Sequence, residues 1–150
     1  MSEGEWDMNN RTFYNEILTD HNLNPLHKRK MSDADIVLQG VNPSCGDDIL
    51  LQLKVDNDVI SDGAFIGSGC AISQASVDIM LDLIIGRNKD EALRLAHIFM
   101  KMIKSGITDE EKEELEEAIA LEDIQHMPAR VKCAVLGWHT LEEALDNKEK

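Results

Sequence analysis

The chain has 150 residues, of which 43% are hydrophobic and 29% are charged, a composition typical of a folded globular protein rather than a disordered one. Its formal net charge of −14 argues against a nucleic-acid partner, because that affinity comes from Lys and Arg side chains that neutralise phosphates. We expect a single domain over residues 1–150, long enough to bury a core without disulfide bonds.

The expected location of the protein follows from signals that its sequence lacks. No apolar run reaches the roughly 18 to 20 residues that a membrane span needs, and the N-terminal residues lack the basic-then-apolar order of a signal peptide. The three cysteines are an odd number and do not make a disulfide framework. We therefore expect a cytoplasmic protein without a membrane partner, whose thiols are available for metal or sulfur chemistry.

The N-terminal part of the chain predicts one helix followed by a basic segment. The helix runs from Asn9 or Asn10 to about Asp20 and ends before Pro25, because apolar residues recur at helical spacing after an asparagine cap. The segment His21–Lys30 then carries the basic cluster of an otherwise acidic chain. It is interpreted either as a solvated loop or as a contact for a partner protein.

Three strands are predicted next, because the apolar residues change to a period of two. Ala34–Gly40 is the first strand, Asp48–Val55 the second and Val59–Ile66 the third. The turn signal Asp56–Asp58 joins the last two strands as a hairpin. These segments predict an antiparallel meander with one face covered.

Four helices follow the strands. The predicted helices are Ala71–Ile85, Lys89–Lys104, a segment capped by Thr108 that continues to about Gln125, and a last helix into which Cys133 leads after the loop Met127–Arg130. Strands followed by a run of helices indicate an α+β fold. We expect a three-stranded antiparallel sheet with the helices packed on one face.

The candidate functional residues are Cys45, Asp47, Cys70 and Cys133. Each cysteine is predicted where a loop becomes a helix or leaves a strand, so the three sulfurs are able to converge. Three thiolates and a carboxylate form a four-coordinate set suited to zinc, and thiolates also suit iron–sulfur chemistry. The alternative is that scattered cysteines are small core residues.

Three segments resemble the cysteine motifs of the IscU/NifU-N family of iron–sulfur cluster assembly proteins. They are Asn42–Asp47 (NPSCGD), Gly67–Ser73 (GSGCAIS) and Lys132–Cys133, in the same order as in the family. IscU-type scaffolds have a His directly before the third cysteine, whereas this chain has Lys132. It also has an additional segment at roughly residues 104–125, and both departures resemble the SufU branch.

The resemblance to the SufU branch implies a zinc-dependent sulfurtransferase that acts with a SufS-type cysteine desulfurase. In that interpretation Cys45 accepts the persulfide sulfur and stimulates the desulfurase, while Asp47, Cys70 and Cys133 hold Zn²⁺ together with Cys45. The sulfur then passes to the downstream iron–sulfur assembly machinery. Arg130 and Lys132 are expected next to the site, where Arg130 steadies its anionic groups.

Two other functions remain open from the sequence. The first is an IscU-like scaffold, which uses the same ligand set to bind iron or a [2Fe–2S] cluster and hand it on. The second is a globular domain with a purely structural metal and an unknown partner.

Overall fold

The computed structural model of the protein describes residues 16–43 and 46–146. The predicted start of the first helix at Asn9 or Asn10 and the side chain of Cys45 lie outside these residues. Within them, residues 16–23 are helical and are called α1. The helix thus continues three residues beyond the predicted end at Asp20 and stops before Pro25, as expected.

The sheet has three antiparallel strands in the order β1-β2-β3, which confirms the predicted meander. The strands are β1 (Ile36–Asn42), β2 (Asp47–Asp56) and β3 (Val59–Ser68). Asn57 and Asp58, in the turn between β2 and β3, both have positive φ, the conformation that tight hairpin turns require. Alternate β2 residues are buried against the helices, which gives the sheet one core face.

The helices are α2 (Ala71–Ile84), α3 (Lys89–Lys104), α4 (Asp109–Leu115), a 3-10 segment (Glu116–His126) and α5 (Pro128–Asp146). Helices α2 and α5 contact the sheet and each other, and α3 packs against α5. The α+β architecture with helices on one face is therefore as expected. None of the helices within residues 16–43 and 46–146 combines the length and the hydropathy of a membrane span.

The prediction of one continuous helix from Thr108 to Gln125 is wrong. The capping box of Thr108 and Glu111 is present, but α4 ends at Leu115 and Glu116 has a φ of +51°. Buried residues then recur every third position at Ala118, Leu121 and Ile124. That spacing places side chains above one another in a 3-10 helix, so the chain buries its apolar face by changing helix type.

The predicted loop Met127–Arg130 is also wrong, because α5 begins at Pro128. Proline suits the first helical position, where its missing N–H would have no intrahelical partner and its φ is already helical. Cys133 consequently lies within the helix rather than at its entry, and it is 2% exposed. The expectation that each cysteine lies where a loop becomes a helix or leaves a strand fails at Cys133, which shares the buried face of α5 with Ala134 and Gly137.

The basic segment His21–Lys30 packs against the fold. The Phe65 N–H donates to the carbonyl of His27 at 2.9 Å, and the Arg29 N–H donates to the carbonyl of Phe65 at 3.0 Å. These two bonds place residues 27–29 alongside β3 as a short parallel addition. The Arg29 guanidinium also pairs with Asp62 at 2.6 Å. The segment therefore covers part of the outer edge of β3, a structural role that the sequence did not reveal.

A buried histidine ties the segment around α1 to two other elements. The Nδ1 of His21 lies 2.7 Å from Asp78 Oδ2 on α2, and its Nε2 lies 3.0 Å from Glu117 Oε1 in the 3-10 segment. Asp78 Oδ1 accepts a further bond from the His27 N–H at 2.9 Å. Burial alone lowers the pKa of His21, but the two carboxylates outweigh it and raise the pKa above its usual 6.5.

We predict that the contribution of His21 to stability decreases with increasing pH. Because its pKa is higher in the folded than in the unfolded chain, the stabilisation is complete below about pH 6.5 and is lost as the pH rises through the folded pKa. At about pH 6, His21→Gln should lower the free energy of unfolding by about 2 kcal/mol, and the difference from wild type should shrink toward pH 9. Urea unfolding of both proteins across this range measures the effect.

The matched control is His97→Gln, because His97 is exposed and pairs with Glu142 at the surface. Its effect on stability should stay within about 1 kcal/mol at every pH. A constant or increasing effect of His21→Gln between pH 6 and pH 9 would contradict the assignment.

Candidate metal centre

Three of the four predicted ligands meet at one end of the sheet. One ligand atom each of Asp47, Cys70 and Cys133 lies within 4.8 Å of the other two. They come from three different elements, β2, the start of α2 and α5. The fourth predicted ligand, Cys45, lies outside the described residues, in the connection between β1 and β2. The grouping makes these side chains a candidate metal centre, while the ligand role of all four stays a prediction.

Asp47 is the first residue of β2 and is completely buried. Its Oδ1 accepts a hydrogen bond from the backbone N–H of Cys70 at 2.9 Å, which joins the hairpin to the start of α2. Its Oδ2 is buried and has no hydrogen-bond partner among the described residues. Buried carboxylate oxygens without a partner are costly, so this atom is in a position that a cation would satisfy.

Cys70 is the N-cap residue of α2, directly before the helix that the sequence predicts from Ala71. Its Sγ accepts a hydrogen bond from the N–H of Ser73 at 3.4 Å. The first N–H groups of a helix have no intrahelical partner, and here one of them donates to the sulfur. Ser73 also donates from its hydroxyl to the carbonyl of Cys70 at 3.1 Å, so its side chain helps to hold the start of the helix.

Gly69 is required by the close packing of the site. A Cβ added there would lie 2.7 Å from Asp47 Oδ1 and 2.6 Å from Ser73 Oγ. Any larger residue would displace the carboxylate that joins β2 to α2. Close packing therefore explains why the second cysteine motif has a glycine at position 69, independently of the resemblance to a family.

Cys133 is held in place by a hydroxyl that bridges α2 and α5. Ser76 Oγ donates to the carbonyl of Ala134 at 2.6 Å and accepts from the indole Nε1 of Trp138 at 2.9 Å, all within the core. Gly137 lets the helices approach, since a Cβ there would lie 2.6 Å from a methyl group of Val77. Because Ser76 is on the helix that Cys70 caps, the bridge fixes one cysteine relative to the other.

The donor set fits a thiophilic cation. Two sulfurs and a buried carboxylate oxygen are ligands that zinc accepts, at about 2.3 Å for sulfur and about 2.0 to 2.2 Å for oxygen. A third sulfur from Cys45 would complete a tetrahedral set. Iron is bound by the same thiolates, so ligand type does not select between the two metals.

Arg130 and Lys132 are exposed on the first turns of α5. Their predicted role next to the site stays a prediction. Two buried side chains near the site had no predicted role: Ser76, and Asn42, which is paired in register with Asp47. The available signal for Ser76 was that a small polar residue interrupts an apolar helical stripe. The signal for Asn42 was its place within the first cysteine motif.

Comparison with known proteins relates this geometry to a family. Residues 13–150 match the model of the NifU-like N terminal domain family. The Thermotoga maritima protein named iron-sulfur cluster assembly scaffold protein IscU is 42% identical over 90% of this chain and 94% of its own. The Bacillus subtilis protein named zinc-dependent sulfurtransferase SufU is 38% identical over 92% of each chain.

Solved structures agree with the sequence comparison. The putative iron-sulfur cluster assembly scaffold protein for the SUF system from Fervidobacterium islandicum is 40% identical, with a TM-score of 0.82 over 87% of this chain and 94% of that one. A NifU-like N-terminal protein from Brucella abortus, at 24% identity and a TM-score of 0.80, shares the fold. Family match, relatives and fold agree, and the chain belongs to the IscU/NifU-N family, that of the NifU-like N-terminal domain.

Proposed function

We propose that this protein is a zinc-dependent sulfur acceptor in iron–sulfur cluster assembly, which takes persulfide sulfur from a cysteine desulfurase of the SufS type. The observation that carries the proposal is the convergence of Asp47, Cys70 and Cys133, with a buried carboxylate oxygen left without a partner among the described residues. The name of the Bacillus subtilis relative, a zinc-dependent sulfurtransferase, supports the same metal and the same activity.

The four predicted ligands have different roles in this proposal. Asp47, Cys70 and Cys133 belong to β2, α2 and α5, which are held by the sheet and by the Ser76 bridge. Cys45 belongs to the short connection of residues 43–46, where Gly46 has a φ of +73°. The three residues on regular elements hold the ion, and the cysteine in the connection accepts sulfur. Bound zinc keeps its thiolate ligands ionised near neutral pH.

Sulfur transfer is a thiol–disulfide type of exchange. The Cys45 thiolate attacks the terminal sulfur of the desulfurase persulfide, forms a new S–S bond, and displaces the desulfurase cysteine as a thiolate. Cys45 then carries the persulfide, and the exchange requires no external oxidant or reductant. At the start of α2 the backbone N–H of Ser73 already donates a hydrogen bond to Cys70 Sγ, so this end of the sheet supplies donors to sulfur.

The alternative function is a scaffold that binds and transfers a [2Fe–2S] cluster. It is favoured by the name of the Thermotoga maritima relative and by a thiolate set that suits iron as well as zinc. Lys132 is the feature of this sequence that favours sulfur transfer, because the third cysteine is preceded by an amine instead of the histidine expected of the scaffold type. Anaerobic reconstitution with iron and sulfide, followed by transfer to an apo-protein, separates the two functions.

We predict that Cys45→Ser abolishes sulfur acceptance. After incubation with desulfurase, cysteine and pyridoxal phosphate, mass spectrometry of wild type should show one extra sulfur on Cys45, and the variant should remain at background. Stimulation of desulfurase turnover should be lost in parallel, because the thiolate that removes the persulfide sulfur is missing. If Cys45→Ser accepts sulfur and stimulates as well as wild type, the acceptor is a different residue and the proposal fails.

We predict that Gly69→Ala weakens zinc binding at least about tenfold, because the new Cβ displaces the Asp47 carboxylate. Competition with a chromophoric chelator measures the dissociation constant. The control is Ser73→Ala, which removes the other atom near the added Cβ without touching Asp47 and should leave zinc affinity within about threefold of wild type. Unchanged affinity in a folded Gly69→Ala protein would argue against Asp47 as a ligand.

A further inference from the structure

A chain of three hydrogen bonds connects the basic segment to the buried carboxylate of the candidate metal centre. The Lys28 ammonium donates to Gln74 Oε1, and Gln74 Nε2 donates to the carbonyl of Gly69 at 2.9 Å. The N–H of Cys70 donates to Asp47 Oδ1 at 2.9 Å. Because the Gly69 carbonyl and the Cys70 N–H belong to one peptide unit, the three bonds form a continuous relay.

All three bonds of this relay point the same way. An ammonium group only donates and a backbone carbonyl only accepts, so the Gln74 amide satisfies both neighbours in one orientation, with its oxygen toward Lys28 and its NH₂ group toward Gly69. The relay starts at a cation and ends at a carboxylate, and hydrogen bonds in such a chain polarise one another. The charge of Lys28 therefore strengthens the bond that Asp47 accepts.

Gln74 holds the backbone on both sides of Cys70. Its side chain binds the carbonyl of Gly69, and its own backbone N–H donates to the carbonyl of Cys70 at 3.2 Å in the first turn of α2. In a planar trans peptide the carbonyl and the N–H point in opposite directions. A rotation of this peptide that broke the bond to Gln74 would also turn the Cys70 N–H away from Asp47.

The bond from Cys70 decides which oxygen of Asp47 is available to a cation. Oδ1 is engaged by the backbone N–H, whereas Oδ2 has no hydrogen-bond partner within residues 16–43 and 46–146. A carboxylate that binds a metal through one oxygen is oriented by the hydrogen bonds that the other accepts, and such bonds contribute to metal affinity. The relay therefore ends on the atom that sets the direction of the free oxygen.

We propose that Gln74 is a positioning residue of the metal centre, which together with Lys28 fixes the peptide between Gly69 and Cys70 and, through it, the carboxylate of Asp47. The proposal rests on the proposed function in taking Asp47 as a zinc ligand. Gln74 is half-buried and does not touch the ion, whereas Lys28 is exposed. The relay thus makes zinc affinity sensitive to the charge at one point of the surface.

Gln74→Glu tests the relay with a side chain of the same size. The new carboxylate still accepts from Lys28, but it has no donor for the Gly69 carbonyl. In an NMR spectrum of the zinc-loaded protein, the amide proton of Cys70 should move upfield, because its bond to Asp47 weakens. Zinc affinity, measured by competition with a chromophoric chelator, should fall by about tenfold, as it does when a group that orients a ligand is lost.

Gln74→Met separates the loss of the donor from the added charge. Methionine has a similar length but neither donates to the Gly69 carbonyl nor accepts strongly from Lys28. It should move the Cys70 amide signal in the same direction as Gln74→Glu and weaken zinc binding as well. Circular dichroism checks that both variants are folded.

Two substitutions of Lys28 test the charged end of the relay. Lys28→Met should move the Cys70 amide signal upfield by a smaller amount and weaken zinc binding by about threefold, because a more distant group is lost. Lys28→Arg keeps both the charge and the donors, so it should restore the signal and the affinity. A side chain that only packed against α2 would not distinguish the two variants.

Gln39→Met is the matched control. The side chain of Gln39 donates to Asp48 Oδ1 at 2.8 Å, so it is also an amide that binds a carboxylate, but this carboxylate is exposed and adjacent in sequence to the candidate ligand. Its replacement should leave the Cys70 amide signal and the zinc affinity unchanged.

The outcomes decide the proposal as follows from the two readouts. Folded Gln74 variants that leave both readouts at the wild-type values, or that change one without the other, would overturn it. Identical behaviour of Lys28→Met and Lys28→Arg would overturn it as well. Neither readout needs a desulfurase, so failure of sulfur transfer with both responses intact would reject the proposed function and leave the role of Gln74 standing.

Discussion

The hydroxyl of Ser76 is the contact on which the geometry of the candidate metal centre depends. It donates to the carbonyl of Ala134 and accepts from the indole of Trp138, whose ring stacks on Phe99 with centroids 4.0 Å apart. One polar group on α2 thereby satisfies two groups on α5 inside an otherwise apolar core, and such fully satisfied polar contacts specify a unique packing of the helices. Since Cys70 caps α2 and Cys133 lies one residue before Ala134, the relative position of the two sulfurs is a property of the core rather than of a loop.

The hairpin completes the site by a different means. Asp47 is held by its place at the start of β2 and by the backbone N–H of Cys70, so the sheet and α2 are joined through the same carboxylate that points at the sulfurs. Asn42 on the neighbouring strand is paired in register with Asp47, and its side chain is also buried. Packing thus sets the positions of Asp47, Cys70 and Cys133. The reactive cysteine of the proposal belongs instead to the connection of residues 43–46 between β1 and β2.

The sequence predicted the strands, their order and the bounds of α3, because alternation, turn residues and capping signals all act locally. It failed in the segment after Leu115, since buried residues three apart occur in both α-helices and 3-10 helices and only packing decides between them. It also failed at Cys133, because a proline such as Pro128 is typical of loops as well as of the first helical turn, where the structure places it. The grouping of Asp47, Cys70 and Cys133 could be predicted from motifs, whereas the role of Ser76 could not, because the identity of a polar residue does not reveal which buried partner it meets.

The short addition of residues 27–29 along β3 has a consequence for the behaviour of the protein in concentrated solution. A sheet edge with unpaired N–H and C=O groups is a template for strand pairing between molecules, which leads to aggregation. Here the two bonds to Phe65 use up part of that edge, and the charged side chains of Lys28 and Arg29 stand beside it, the second paired with Asp62. The basic residues of an acidic chain thus protect this edge from self-association through β-strands, so loosening the segment would lower colloidal stability.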